Sequence, residues 1–326
     1  MTRAIRIHAT GGPEVLQLDD VTLAAPGAGE ARVRHGAIGV NFLDTYHRSG
    51  LYPLPMPAGL GSEAAGVIEA LGPGTEALGL AVGQRVAYCG GAPGSYSDAR
   101  LIAADRLVPL PDDVADRDAA ALMLKGLTVE YLFHRTFPLQ GGETILFHAA
   151  AGGVGLIACQ WAKALGVRMI GTVSSDAKAA LAREHGCADT IVYTREDFVA
   201  RVKALTGGAG VPVVYDSIGK DTFPASLDCL APRGMFVSFG SASGPIAAFS
   251  LALLAQKGSL FATRPTLFTY AQKRADLLAM SERLFAMMRT GAVRADVRQT
   301  YALADAAQAH RDLESRATTG ASLLLP

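Results

Sequence analysis

Two rhythms divide the chain. Up to about residue 110, apolar and polar positions alternate in short stretches, at 3–9, 31–40, 65–70, 85–89 and 95–103, with Gly and Pro turns between them. A period of two marks half-buried strands. A row of such strands without helices predicts a partly closed antiparallel barrel. A helical stretch follows at 116–136, interrupted by the step Lys125-Gly126. From Thr144 the pattern becomes strand, helix, strand, helix, with strands at 144–147, 167–173, 190–193, 211–216 and 234–240. The intervening helices are expected at 156–165, 177–185, 197–205 and 223–230. Apolar strands alternating with helices predict an α/β fold, a doubly wound parallel sheet of Rossmann type covered on both faces. A further strand is expected at 258–263 and a helix at 271–290, and the mixed tail 298–326 is expected to return to the N-terminal domain. The predicted organisation is thus 1–124 for the barrel, 125–263 for the Rossmann domain and 264–326 for the returning segment.

Composition narrows the partners. A chain of 326 residues, half of them apolar, suits two domains with large cores. Lys plus Arg and Asp plus Glu both number 30, and no basic stripe is visible, which argues against nucleic acid or an anionic membrane as partner. The first eight residues alternate like a strand and carry no signal-peptide block, and no apolar run is long enough to span a bilayer. Cys89, Cys159, Cys187 and Cys229 are far apart and form no C-x-x-C. They read as core-filling thiols of a reducing, cytoplasmic compartment.

The densest chemical signal is His148-Ala-Ala-Ala151-Gly152-Gly153-Val154-Gly155, set between the strand 144–147 and the helix 156–165. A strand, a glycine turn and a helix in that order hold a dinucleotide pyrophosphate on the helix's unpaired amides. Ala150 replaces the first glycine of the usual fingerprint. Gly152 is expected to let the backbone approach the phosphates, and Gly155 to let helix and strand pack closely. The second strand ends at Val173-Ser174-Ser175-Asp176-Ala177-Lys178. Two hydroxyls stand where an NAD-selective acid is expected, with Lys178 one turn later, a set that suits the 2′-phosphate of NADPH. The same residues also read as a serine cap and an exposed lysine, and Asp176 weighs against the phosphate. Tyr193 fits an adenine contact, a bond to the phosphate or an ordinary strand aromatic.

Gly39-Val-Asn41-Phe42-Leu-Asp44-Thr-Tyr46-His-Arg48-Ser-Gly-Leu-Tyr52-Pro and Gly59-Leu-Gly-Ser62-Glu63-Ala-Ala-Gly66, with the glycine turn, resemble the medium-chain dehydrogenase/reductase superfamily over essentially the whole chain. The resemblance implies a GroES-like barrel beside the Rossmann domain. Zinc alcohol dehydrogenases of that superfamily carry Cys in the first motif and Gly-His-Glu in the second. Asn41 and Ser62 stand at those positions here, so no metal is expected. Within the superfamily the chain is similar to the zinc-free quinone oxidoreductases, through Gly11–Leu16, Lys125-Gly-Leu-Thr128, Tyr215-Asp-Ser217, Ser238-Phe-Gly240 and Glu314-Ser-Arg316-Ala-Thr.

That resemblance implies a site. Asn41, Phe42, Asp44 and Tyr46 are expected at the nicotinamide end of an interdomain cleft, and Lys125, Thr128 and Tyr131 beside the cofactor. Ala151, Gly152, Gly153, Val154 and Gly155 are expected on the pyrophosphate, and Ser174, Ser175, Lys178 and Tyr193 around the 2′-phosphate. Ser217, Phe239, Gly240, Ser241, Arg264 and Arg316 complete the cofactor set. Asn41 and Tyr46 are the candidate donors to the acceptor oxygen, and Tyr46 and Tyr52 the aromatic contacts for a flat quinone. Asp44 either orients that network or caps a helix.

The implied activity is zinc-independent reduction of a quinone by NADPH, with no obligatory acid or base, in a cytoplasmic homodimer that pairs through 258–263. One alternative is reduction of an activated double bond in an enone or enoyl thioester, which adds a demand for a proton at carbon. A second is a non-enzymatic, NADPH-binding structural or RNA-binding protein, against which the charge balance argues.

Overall fold

The computed structural model describes residues 1–315 and 318–326. The chain forms two compact units, Met1–Leu127 with Tyr270–Pro326, and Thr128–Thr269.

In the first unit the long strand Glu30–Val40 is the hub. It pairs antiparallel with Glu63–Leu71, Ala99–Ala103 and Ala321–Leu325. Its alternation is legible: Ala31 and Val33 are fully buried, while the intervening Arg32 and Arg34 meet Glu69 at the surface. Ile5, Ile7, Val33, Ile38, Ile68, Val86 and Leu324 pack into one core. Each such side chain contributes about 1.5–3 kcal/mol by leaving water. The last strand, Ala321–Leu325, carries Val297–Ala302 in parallel on its far side, so the sheet is mixed rather than purely antiparallel. The strand expected at 95–103 is shorter, Ala99–Ala103. Tyr96 instead bridges backbones, donating to Leu60 O at 2.8 Å and accepting from Ile5 N at 2.7 Å.

Helix Asp116–Tyr131 contains the Lys125-Gly126 step. A Cβ on Gly126 would lie 2.7 Å from Leu284 Cδ1. The glycine therefore lets helix Arg274–Arg289 pack directly on the backbone here.

In the second unit, among the described residues, six parallel strands form one sheet. Across the sheet they run Asp189–Val192, Arg168–Val173, Thr144–Phe147, Val211–Asp216, Leu230–Ser238 and Phe261–Thr263. Counted along the chain this is the order 3-2-1-4-5-6 of a dinucleotide-binding sheet. Leu146, Ile170, Ile191, Val214 and Phe236 form a core on one face, and Ile145, Phe147, Met169, Val213 and Val237 are buried on the other, as helices above and below require. The expected helix 223–230 is a 3-10 segment, Ala225–Cys229. Ser226 Oγ is drawn into side-chain bonds with Asp216 and His148, which compete with a regular turn. The strand expected at 258–263 starts only at Phe261, because Gly258 (φ 115°) and Ser259 (φ 55°) are left-handed.

Candidate functional site

The order of the sheet reverses between Thr144–Phe147 and Val211–Asp216, and ligands of such sheets bind beyond the carboxyl ends of the strands at that point. The chain leaving Phe147 turns through Ala149, which is left-handed at φ 57°, a strained conformation for a residue with a Cβ. Two bonds hold it: Ala150 N donates to Thr172 O at 3.0 Å, and Gly152 N donates to Ala149 O at 3.0 Å. The buried His148 ring lies 2.9 Å from Thr172 Oγ1 and 3.0 Å from Ser226 Oγ.

Ala150 fits where a glycine is usual because Gly171 faces it. A Cβ on Gly171 would lie 2.5 Å from the Ala150 methyl. A Cβ on Gly155 would fall 2.3 Å from Ala149 O, so this glycine is sterically required by the close approach of turn and helix. Gly152 is the N-cap of helix Gly153–Ala164 and supplies no side-chain acceptor to its first amides. Those amides, at the positive end of a helix of 12 residues, suit a pyrophosphate. The residues present therefore fit a dinucleotide.

The other second-unit candidates gather at the same edge. Ser175 caps helix Asp176–Glu184, its Oγ accepting Lys178 N at 3.3 Å, and Lys178 is half-buried one turn in. Tyr193 follows the third strand, with its N donating to Val173 O at 3.1 Å. Ser217 and Phe239 follow the fourth and fifth strands, and Phe239 N donates to Asp216 O at 2.8 Å. A Cβ on Gly240 would sit 2.6 Å from Ser217 O, so these two crossing loops touch backbone to backbone. Ser241 is the next residue, and Arg264 follows the edge strand with its guanidinium donating to Pro265 O at 3.2 Å. Thr128 and Tyr131 are buried on their helix. Arg316 lies outside the described residues.

The first unit supplies a separate polar cluster. Asn41 stands at the start of helix Phe42–Ser49, and Asp44 Oδ2 accepts its backbone N–H at 2.9 Å. Asp44 thus both caps the helix and joins a network. It accepts Tyr96 Oη at 2.8 Å and Ser62 Oγ at 3.4 Å. Burial pushes its carboxyl up to about 7, against the pull of those donors. Tyr96 Oη lies 3.1 Å from His310 Nε2, and Arg48 donates to His310 Nδ1 at 3.0 Å and forks onto Glu314 at 2.7 and 3.0 Å. Arg48 can only donate, so His310 Nδ1 accepts and the ring is neutral. Burial and the neighbouring Arg48 bring His310 down to about 3.

Asn41 Nδ2 donates to Glu63 Oε1 at 2.8 Å, and Lys125 Nζ donates to the same oxygen at 2.9 Å. Leu124 N donates to Glu63 Oε2 at 2.6 Å. Lys125 is therefore a buried ion-pair partner of Glu63. Phe42, Tyr46 and Tyr52 form an aromatic cluster, with Tyr46 and Tyr52 edge to face at 5.4 Å. Motif reading assigned no role to Glu63, Tyr96, His310 or Arg195. Only Glu63 had a local signal, as the acid of Gly-Ser-Glu; Tyr96 and His310 reach this network from distant parts of the chain, and Arg195 belongs to the second unit, where it pairs with Asp176.

Comparison with known proteins agrees with this geometry. Residues 27–112 match the alcohol dehydrogenase GroES-like domain, and residues 153–278 match the family described as zinc-binding dehydrogenase. A quinone oxidoreductase of Pseudomonas aeruginosa is 56% identical over 100% of both chains. The crystal structure of Escherichia coli quinone oxidoreductase complexed with NADPH superposes with a TM-score of 0.98 at 50% identity, covering 100% of both chains. A 2-haloacrylate reductase of a Burkholderia species is 46% identical over 100% of this chain and 99% of its own.

The second domain description implies zinc, and the donor set does not fit it. An amide (Asn41) and a hydroxyl (Ser62) stand at the motif's ligand positions, and Glu63 already accepts an ammonium and two N–H groups. Among the described residues no group of three or more His, Cys, Asp or Glu could hold a metal ion. With both domain models matched and full-length identity above one half, the chain belongs to the zinc-free quinone oxidoreductases of the medium-chain dehydrogenase/reductase superfamily, and it is an oxidoreductase.

Proposed function

We propose that this chain passes reducing equivalents from NADPH to a quinone. The observation that carries this reading is the full-length likeness to a quinone oxidoreductase crystallised with NADPH. The local chemistry supports it. The amides of Ala151, Gly152, Gly153, Val154 and Gly155 bind the pyrophosphate. Ser174, Ser175, Lys178 and Tyr193 take the 2′-phosphate, and Ser217, Phe239, Gly240, Ser241, Arg264 and Arg316 flank the rest of the nucleotide. Asn41, Phe42, Asp44 and Tyr46 are assigned to its nicotinamide end, and Lys125, Thr128 and Tyr131 to positions beside the cofactor.

When bound, NADPH supplies the hydride. The chain's own residues bind, orient and exclude water. Tyr46 and Tyr52 present ring faces and edges to a flat acceptor, and Asn41 and Tyr46 hydrogen-bond its oxygen. Alignment at near-contact distance lowers such a barrier by several kcal/mol, on the order of 7 at best. A quinone needs little more, because its reduced oxyanion is weakly basic and water can protonate it.

A second reading, reduction of an activated carbon–carbon double bond, is favoured by the identity to 2-haloacrylate reductase. Steady-state turnover with 1,4-benzoquinone, 9,10-phenanthrenequinone and an α,β-unsaturated ketone separates the two. Quinone reduction with an idle enone supports the first; the reverse refutes it.

The protein is assigned to the cytoplasm, where its four buried free thiols stay reduced. It is assigned a homodimer paired along the edge strand Phe261–Thr263, whose Phe261 is 58% exposed. Light scattering that returns a single chain mass at micromolar protein refutes the dimer.

A further inference from the structure

An acid at the end of the second strand of a dinucleotide sheet favours the ribose hydroxyl of NADH and repels a 2′-phosphate. In this chain hydroxyls hold that position, but an acid, Asp176, follows at the first residue of the next helix, in the same short segment as Ser174, Ser175 and Lys178. The two features contradict each other unless the charge of Asp176 is cancelled.

The structure supplies the cancelling group. Arg195 NH1 donates to Asp176 Oδ2 at 2.6 Å and NH2 donates to Oδ1 at 2.5 Å, a two-pronged fork that occupies both oxygens. The fork keeps the Asp176 carboxyl below its ordinary range, so the acid is ionised and engaged. Arg195 comes from the loop after the third strand, two residues past Tyr193. That loop is tied to the end of the second strand: Tyr193 N donates to Val173 O at 3.1 Å, and Thr194 Oγ1 donates to Ser174 O at 3.2 Å. Arg195 is thereby delivered to the segment that would receive the adenosine ribose.

Both side chains are exposed, 58% for Arg195 and 72% for Asp176. An ion pair so placed contributes little to fold stability. Its effect falls instead on whatever charge arrives beside it. With Arg195 present, the pair is neutral and Lys178 leaves the site net positive. Without Arg195, Asp176 offsets Lys178 and faces the incoming phosphate alone.

We propose that Arg195 is a specificity-determining residue, which by clamping Asp176 keeps this site selective for the 2′-phosphate of NADPH. The inference rests on the NADPH reading above. It differs from a direct phosphate contact by Lys178 in that Arg195 acts through Asp176.

The test is a set of equilibrium titrations with NADPH and with NADH, by calorimetry without acceptor, on the parent, Arg195→Ala, Asp176→Asn and the double variant. All are measured at low and at physiological salt. Arg195→Ala should lose roughly tenfold or more in NADPH affinity at low salt while NADH changes little, the loss shrinking at higher salt. The double variant should recover most of that affinity, because there is no longer an acid to cancel. Asp176→Asn alone should keep the preference for NADPH. Unchanged NADPH affinity in Arg195→Ala overturns the proposal. So does a double variant as weak as Arg195→Ala, which would make Arg195 a direct phosphate ligand. A parent protein that binds both nucleotides equally refutes the NADPH reading itself, an outcome distinct from either. Thermal midpoints within the scatter of the parent exclude loss of fold as the cause.

Discussion

The buried pair of Glu63 and Lys125 gives the sharpest test of how the first unit is built. The Glu63 side chain is 0% exposed and that of Lys125 6%. Lys125→Met removes the ammonium and keeps the stem volume. It leaves a carboxylate out of water with only Asn41 Nδ2 and Leu124 N to satisfy it. Glu63 cannot swing away, since its Oε1 packs on bare backbone: a Cβ on Gly39 would sit 2.2 Å from it. Breaking a buried pair from one side costs about 3–5 kcal/mol. Glu63→Gln should cost a similar amount, because its amide leaves the ammonium without a counter-charge. The double variant, Glu63→Gln with Lys125→Met, carries no buried charge, and exchange of a whole pair for neutral groups is close to neutral, about 0–2 kcal/mol. Urea unfolding of the full chain, followed by far-ultraviolet circular dichroism, measures all four proteins. A coupling energy of about 3 kcal/mol or more is expected from the cycle. Two single variants within about 1 kcal/mol of the parent, or effects that simply add, would show that the pair is not a unit and refute the reasoning.

Asp44 makes stability depend on pH. Its folded carboxyl is raised from 3.8 to about 7, so between those values the native state holds a proton that the unfolded chain has lost, and stability falls as pH rises through that window. The stability difference between parent and Asp44→Asn should therefore shift against the parent by up to about 3 kcal/mol from about pH 5 to about pH 8; a difference that does not move with pH contradicts the assignment. Gly155→Ala puts a methyl carbon 2.3 Å from Ala149 O, whereas Gly152→Ala meets nothing nearer than 3.3 Å. The first should lose about 1–3 kcal/mol in thermal unfolding and weaken NADPH binding, with the second clearly milder in stability, and equal losses would be inconsistent with the geometry. Tyr52→Ala removes an edge-to-face partner of Tyr46 at 5.4 Å, and should raise KM for 9,10-phenanthrenequinone about fivefold with KM for NADPH little altered. Equal rises in both would detach Tyr52 from the acceptor.

The second unit was legible because parallel strands buried on both faces are written as apolar runs, such as Thr144–Phe147 and Val211–Asp216, with helices between. The glycine turn was legible by context, but not its strain. That Ala149 rather than a glycine turns left-handed, and that Gly171 on the next strand makes room for Ala150, are properties of two segments meeting. The first unit hid more, since its polar chemistry is assembled from afar. Tyr96 comes from a loop and His310 from the last described helix, Ala306–Glu314, and neither has neighbours in sequence that announce a link to Asp44. Arg195 carries no local signal for the same reason: it lies outside the second-strand motif whose charge it balances. Helix 223–230 failed because apolar periodicity cannot register that Ser226 is needed by Asp216 and His148.

The two polar clusters of the first unit fit the proposed reaction, which calls for no cation. Glu63 has its carboxylate filled by Lys125, Asn41 and Leu124, and Asp44 by Asn41 N–H, Tyr96 and Ser62. Each acid uses one of these bonds to hold Asn41 at the head of helix Phe42–Ser49, Glu63 through the side-chain amide and Asp44 through the backbone N–H. The same helix ends on Arg48, which Glu314 and His310 anchor. Tyr46 lies between those two anchors, five residues after Asn41 and two before Arg48, with its ring against Phe42 and Tyr52. An acceptor that must be polarised by a Lewis acid would find little here, whereas a flat acceptor that is already electron-poor needs chiefly a rigid aromatic surface and a pair of well-oriented donors. An amide and a hydroxyl at the motif's ligand positions, and a network that holds Asn41, thus suit the same proposal, a site that positions its acceptor rather than activating it.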